Sequence, residues 1–257
     1  MTLVKKAFIF ILFAGAIAFI IASKPFSQTT KDTKKATALQ STLPDFTQFT
    51  DVKQKKTAFF DYMLPLIQQS NAEILIERTA IQAMDINQLS AQQKTKLMNL
   101  LKEYRIKSTK IDAQTKQTLL EKVDIIPASL ALAQAANESA WGTSRFARQA
   151  FNFYGQWCFS KGCGLVPNQR TSGKTHEVKA FKTPYLSVKG YMHNLNSHHA
   201  FQKLREYRAL ARKNQELLTG QALVRGLMHY SERKEAYIKE VSAMIAYNKL
   251  DLYDIDF

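Results

Sequence analysis

A chain of 257 residues in which 46% of the side chains are hydrophobic can bury a substantial core, which excludes disorder as its general state. Lys and Arg outnumber Asp and Glu by 36 to 21, and the resulting charge of +15 fits a polyanion, an anionic membrane surface or an acidic polymer as partner without choosing among them.

In chain order, Lys5 and Lys6 precede an uncharged apolar run from Ala7 to Ser23 that Lys24-Pro25 closes, the pattern of a secretory signal or an N-terminal membrane anchor. Residues 1–24 are read as that segment. Ile21-Ala22-Ser23 is a poor cleavage site, which favours retention as an anchor. Two positive charges ahead of the run place the rest of the chain outside the cytoplasm, on the periplasmic face of the inner membrane or, after cleavage, free in the periplasm. Residues 25–50 form a tether, because the Thr-, Lys- and Ser-rich stretch 27–42 has Leu39 as its only large apolar side chain.

Residues 51–125 read as packing helices. Phe59, Phe60, Met63, Leu64 and Ile67 form one apolar face that Pro65 is expected to bend or end. Ser70-Asn71-Ala72-Glu73 has the spacing of a capping box and predicts a second helix starting there. Ser90 to Gln93 repeats the device, and a further helix is expected from about Asp112 to Val123.

Residues 126–257 carry the chemistry. Pro127 followed by Ala and Leu through Ala136 predicts a central helix of small residues, with Glu138 near its end. Gly155, Gly162, Gly164, Pro167 and Gly173 among aromatic residues predict a small β-hairpin lobe between Phe151 and Phe181. Helical periodicity returns from Leu186 to Leu250, with new starts near Thr219 and after Ser231. The fold class is therefore mainly α with a minor β element.

Glu138, at the end of an apolar helix with Trp141 three positions on, is placed for a desolvated, protonated carboxyl that donates to a departing oxygen. A solvated helix-end glutamate is the bland alternative. Between Ser139 and Arg205 the one other carboxylate is Glu177, on an alternating stretch that reads as a hairpin strand, so any second acid from this lobe is Glu177. A strand residue balancing its lysine neighbours fits it equally. Among the aromatic residues, Phe153 and Phe159 lean towards core, while Tyr154 and Trp157, each with a polar edge, are the better candidates for a groove that stacks on sugar rings.

Cys158 and Cys163 close a small loop as a disulfide or remain two free thiols; in an oxidising compartment the disulfide is preferred. His193, His198 and His199 follow no metal spacing, so no metal is assigned. No phosphate-binding loop, Gly-x-Ser-x-Gly elbow or nucleic-acid motif is present, and no cofactor or nucleic-acid partner is expected. Nothing in the sequence bears on oligomeric state.

Ile126-Pro127-Ala128-Ser129-Leu130 through Asn137-Glu138-Ser139-Ala140-Trp141-Gly142, then Asn152-Phe153-Tyr154-Gly155, Ala180-Phe181-Lys182-Thr183-Pro184-Tyr185 with Tyr191, and Tyr230 with Tyr237, resemble the glucosaminidase domain of glycoside hydrolase family 73, especially its Bax-type members. The resemblance covers about the last half of the chain. It implies an α+β lysozyme-like fold and cleavage of the β-1,4 bond between N-acetylglucosamine and N-acetylmuramic acid in peptidoglycan glycan strands. By matching position it implies Glu138 as general acid, Glu177 as the second acid of the hairpin and Tyr230 as an assisting tyrosine. Trp141, Phe153, Tyr154, Trp157 and Tyr191 are the substrate-binding candidates, although the segment after Gly155, Gln-Trp-Cys-Phe, departs from the family's pattern. Attack by water, by a carboxylate or by the substrate's own acetamido group all remain open, because the route depends on a carboxylate separation that sequence does not give. A lytic transglycosylase and a non-catalytic wall-binding protein are the alternatives.

Overall fold

The computed structural model describes residues 43–254 apart from 169, 171 and 172. The anchor segment 1–24 and the tether up to residue 42 lie outside them, whereas residues 43–50, assigned to the tether, are packed structure: Asp45 caps a short turn at Phe46–Gln48 and Phe46 is buried in the core. Among the described residues no helix is long and apolar enough to cross a membrane.

The first long helix, α1 (Val52–Gln82), starts where Asp51 accepts the Gln54 N–H at 2.7 Å. It runs through Pro65 and past Ser70 without a break, so the helix neither ends at Pro65 nor restarts at Ser70. The supposed capping residues are used in tertiary contacts instead. Ser70 and Asn71 are buried, and the Asn71 amide exchanges hydrogen bonds with the Ile126 backbone at 2.8 and 3.1 Å. Glu73 accepts from the Tyr185 hydroxyl and, at 2.7 Å, from Lys189. Packing and these partners outweigh the single hydrogen bond that proline withholds.

Helices α2 (Ala91–Glu103) and α3 (Ala113–Lys122) begin at true capping boxes, Ser90 with Gln93 and Asp112 with Thr115. With the end of α1 they enclose a satellite core around Ile81, Leu97, Leu101, Leu119 and Val123. The connection to the next helix is held by charge. Asp124 is buried and takes a two-pronged contact from Arg212 at 2.9 and 3.2 Å, with Arg78 at 3.6 Å and Arg208 at 3.9 Å.

Helix α4 (Ala128–Ser139) is the centre of the molecule. Ala128 to Ala136 are all buried, and the helix packs against α1, against the late helix α9 (Glu235–Tyr247) and against the turn Leu250–Tyr253. Its small side chains permit this closeness, as the run of Ala predicts. A Cβ on Gly220 would stand 2.2 Å from the Ser129 hydroxyl. Pro127 offers no side-chain cap; Asp254 takes that role from the far end of the chain, accepting the Ser129 N–H at 2.9 Å and its hydroxyl at 2.6 Å.

After α5 (Arg145–Ala150) the lobe is a three-stranded antiparallel sheet rather than the expected hairpin. Strands β1 (Trp157–Cys158) and β2 (Gly164–Leu165) both pair with the central β3 (Glu177–Lys179). Cys158 and Cys163 are disulfide-bonded, closing the loop between β1 and β2. Helices α6 (Pro184–Ser197), α7 (Gln202–Lys213), α8 (Gly220–Leu223) and α9 complete the fold, and Thr183 and Thr219 cap two of them. Phe59, Met63, Leu130, Tyr191, Leu227 and Val241 share one core, so α1 is built into the same hydrophobic unit as α4 and α9.

Candidate active site

Glu138 occupies the last turn of α4, and the chain leaves the helix directly behind it. Ala140 and Trp141 both adopt left-handed backbone, at φ 50° and 59°. The Ser139 hydroxyl donates to the Ala135 carbonyl at 2.6 Å and accepts the Gly142 N–H at 2.8 Å. Trp141 packs edge-on against Phe59 and Phe60, and a Cβ on Gly142 would stand 2.4 Å from the Phe46 ring. Ser-Ala-Trp-Gly is thus a helix stop bolted to α1 and to the turn Phe46–Gln48. Trp141, expected to meet substrate, belongs to this support and does not line the cleft.

The Glu138 carboxyl opens on a cleft of about 1050 Å³. Asn152, Tyr154 and Gly155 form its floor; Trp157, Arg170, Lys174 and His176 come from the sheet lobe; Tyr230, Glu232, Arg233 and Tyr237 come from the approach to α9. Asn152 organises the floor by donating to the carbonyls of Gln156 and Lys179, both at 2.8 Å, while its own carbonyl accepts the Gln156 N–H at 3.0 Å. This places Gly155 beside the acid, where a Cβ would lie 3.2 Å from Glu138 Oε2.

Burial raises the pKa of Glu138; a hydrogen bond from Tyr237 and the charge of Arg233 pull it down, Glu240 pushes it up, and the net direction is upward. The Tyr237 proton is aimed by a relay. The Tyr191 hydroxyl donates to the Gln134 carbonyl at 2.7 Å, which fixes that amide so that its NH2 donates to the Tyr237 oxygen at 2.9 Å. Tyr237 then has its proton free for Glu138, its hydrogen-bond partner one helical turn beyond Gln134. Removing this donor with Tyr237→Phe is expected to raise the Glu138 pKa further and move the alkaline limb of the kcat/KM profile to higher pH. A limb that stays in place would reduce Tyr237 to a packing role.

The remaining candidates divide cleanly. Tyr230 lines the cleft, but its hydroxyl donates to the Tyr154 carbonyl at 2.8 Å and its ring stacks on Tyr237 at 5.4 Å. Tyr154 and Tyr191 stack at 3.9 Å and are almost wholly buried, so Tyr191 orients Gln134 from behind the site while Tyr154 reaches the cleft only at its edge. Phe153 is fully buried core. Trp157, at 55% exposure, stands in the cleft as expected. Phe159, expected in the core, is 72% exposed and lines the cleft directly after β1.

Glu177 is not brought to Glu138's cleft. Its two oxygens accept the N–H groups of Gly162 and Gly164 at 2.9 and 2.8 Å, and these bonds hold its carboxyl below the usual range. Alternation along β3 is the cause: His176 and Val178 point into the cleft, so Glu177 between them points into the disulfide loop. Period two in Lys174 to Phe181 already carried that signal. His176, Arg170, Lys174, Glu232 and Gln134 have no motif of their own, and only the fold shows them at the site.

A glucosaminidase family model, described as mannosyl-glycoprotein endo-beta-N-acetylglucosaminidase, matches residues 113–250. The Bax protein of Escherichia coli is 34% identical over 214 residues, covering 82% of this chain and 76% of that protein. A crystal structure of the catalytic domain of the autolysin Auto from Listeria monocytogenes aligns over 90% of this chain and 99% of its own at 16% identity, with a TM-score of 0.42. With more than half its length matched by the family model and a 34% identical relative over most of its length, the chain belongs to the glucosaminidase family.

Proposed function

We propose that the protein hydrolyses the β-1,4 bond between N-acetylglucosamine and N-acetylmuramic acid in peptidoglycan strands, with Glu138 as the general acid. The observation that carries this reading is a glutamic acid desolvated on its helix side, raised in pKa and open on its other side to a cleft large enough for sugar rings. Its proton passes to the glycosidic oxygen as the bond to the anomeric carbon breaks, and water supplies the hydroxyl that the sugar carbon gains. Family membership supports the glycosidase chemistry. The inward turn of Glu177 supports a route in which that residue shapes the lobe and the attack comes from water or from the substrate's acetamido group. The apolar run Ala7 to Ser23 supports work at the outer face of the inner membrane.

The test is the chemistry of the products. Digestion of purified peptidoglycan is expected to release fragments ending in a reducing N-acetylglucosamine, seen by mass after borohydride reduction. Fragments ending only in anhydromuramic acid would replace hydrolysis by a transglycosylase reaction, and no fragments at all would leave a binding protein.

A further inference from the structure

The two long walls of the cleft differ in charge. On the lobe side the Trp157 indole lies flat on the His176 ring, with centroids 4.3 Å apart and planes 17° from parallel, so an aromatic face is fixed where a sugar ring can stack. Beside it Arg170 donates to the His176 carbonyl at 3.3 Å, which holds the guanidinium along the platform with no further hydrogen bond among the described residues. The Lys174 ammonium also faces the cleft and has no hydrogen bond or ion pair among the described residues.

No acid forms an ion pair with them among the described residues, although the charge of Arg170 reaches Glu177 and helps to lower its pKa. Glu177, the one carboxylate between Ser139 and Arg205, spends both oxygens inside the disulfide loop. Across the cleft the balance reverses. Glu232 has no hydrogen bond or ion pair among the described residues, and Arg233 is paired with Glu240. The potential therefore runs from positive at the lobe to negative at the opposite wall. A neutral glycan gains nothing from that polarity, whereas a strand with carboxylates along one edge is both attracted and oriented by it.

We infer that Arg170 and Lys174 form a carboxylate subsite, which holds the acidic side arm of the sugar that stacks on Trp157 and makes the enzyme selective for anionic over neutral strands. The inference rests on the wall-glycan reading above. The carboxylate has two sources, the lactyl group of muramic acid itself and the free carboxylates of an attached peptide stem.

Three substrates with the same sugar backbone separate these possibilities in the full-length protein: stem-bearing strands, strands stripped of peptide that keep the lactyl carboxylate, and stripped strands whose carboxylates have been converted to methylamides. Anionic strands are expected to be cleaved with a kcat/KM about fivefold or more above that of the amidated strands, a preference that shrinks at high salt. The stem is joined to muramic acid as an amide of the lactyl carboxyl, so preference for the stripped anionic strands alone assigns the lactyl group, preference for stem-bearing strands alone assigns the stem, and preference for both assigns a subsite that takes either carboxylate. In the R170Q/K174Q double variant the ratio of anionic to neutral kcat/KM is expected to fall towards one, with KM carrying the change. Because the ratio is internal to each preparation, a partly folded variant does not disturb it. Equal rates on all three substrates by the wild-type protein, or an unaltered ratio in the double variant, would overturn the subsite. Failure to cleave any of them would instead remove the wall-glycan reading itself.

Discussion

Glu138→Gln is expected to lower kcat/KM on peptidoglycan by about two orders of magnitude or more, since the amide keeps the shape of the carboxyl and loses the transferable proton. Glu177→Gln in the same assay is expected to retain most of the wild-type rate, because its carboxylate orders the Gly162 and Gly164 loop and meets no substrate. The pair of variants is more informative than either alone. Equal losses would return Glu177 to the reaction, and undiminished clearing by E138Q would take Glu138 out of it. Stability should move the other way from activity. The folded-state pKa of Glu138 is raised, so its ionisation opposes folding once the pH rises above the ordinary carboxyl range. E138Q, which cannot ionise, is therefore expected to melt no lower than the wild type at pH 7 and to gain on it as pH rises through the raised value. A lower melting temperature for E138Q would contradict the desolvated acid on which the proposal depends.

The largest expected loss of stability comes from Asp124→Asn. Asp124 sits between Arg78 of α1 and Arg208 and Arg212 of α7, and Arg208 is only 1% exposed. Burial would raise the Asp124 pKa, but Arg208, Arg212 and Arg78 together hold it below the ordinary value. The Arg208 guanidinium also donates to the carbonyls of Glu121 and Ile125 at 3.0 and 2.8 Å and to Asn196 at 2.7 Å, so it cannot swing out to water when the carboxylate is lost. Leaving that cation without a counter-charge is expected to cost about 3–5 kcal/mol, read from urea melts at pH 7. A carboxylate whose folded pKa is depressed contributes stability above its unfolded value and loses it as pH falls through the folded one. The difference between variant and wild type should accordingly shrink below about pH 4, near the unfolded Asp value. A cost under 1 kcal/mol at pH 7 would mean that the arginines are satisfied by carbonyls alone.

The sequence by itself determined the helical class, the capping box at Ser90, the helix starting near Asp112, the small-residue central helix and the acid at its end. These are local properties: a cap needs partners three residues away, and an apolar stripe needs only the period of a helix. It also determined that Glu138 is followed by a helix stop, although the purpose of Trp141 was invisible, since its partners Phe59 and Phe60 lie some eighty positions earlier. Tertiary structure alone decided what each polar residue is for. Ser70 to Glu73 fit the spacing of a helix start, yet Asn71 is spent on Ile126 and Glu73 on Tyr185 and Lys189, because a buried polar group takes whichever partner the packing brings to it. The same reason separates the two acids. Glu138 ends an apolar helix and Glu177 lies on an alternating strand, which hints at a different direction for each but not at their partners; the fold leaves one desolvated at a cleft with a single tyrosine donor and gives the other two backbone N–H groups, so one is held towards its acid form and the other towards its anion.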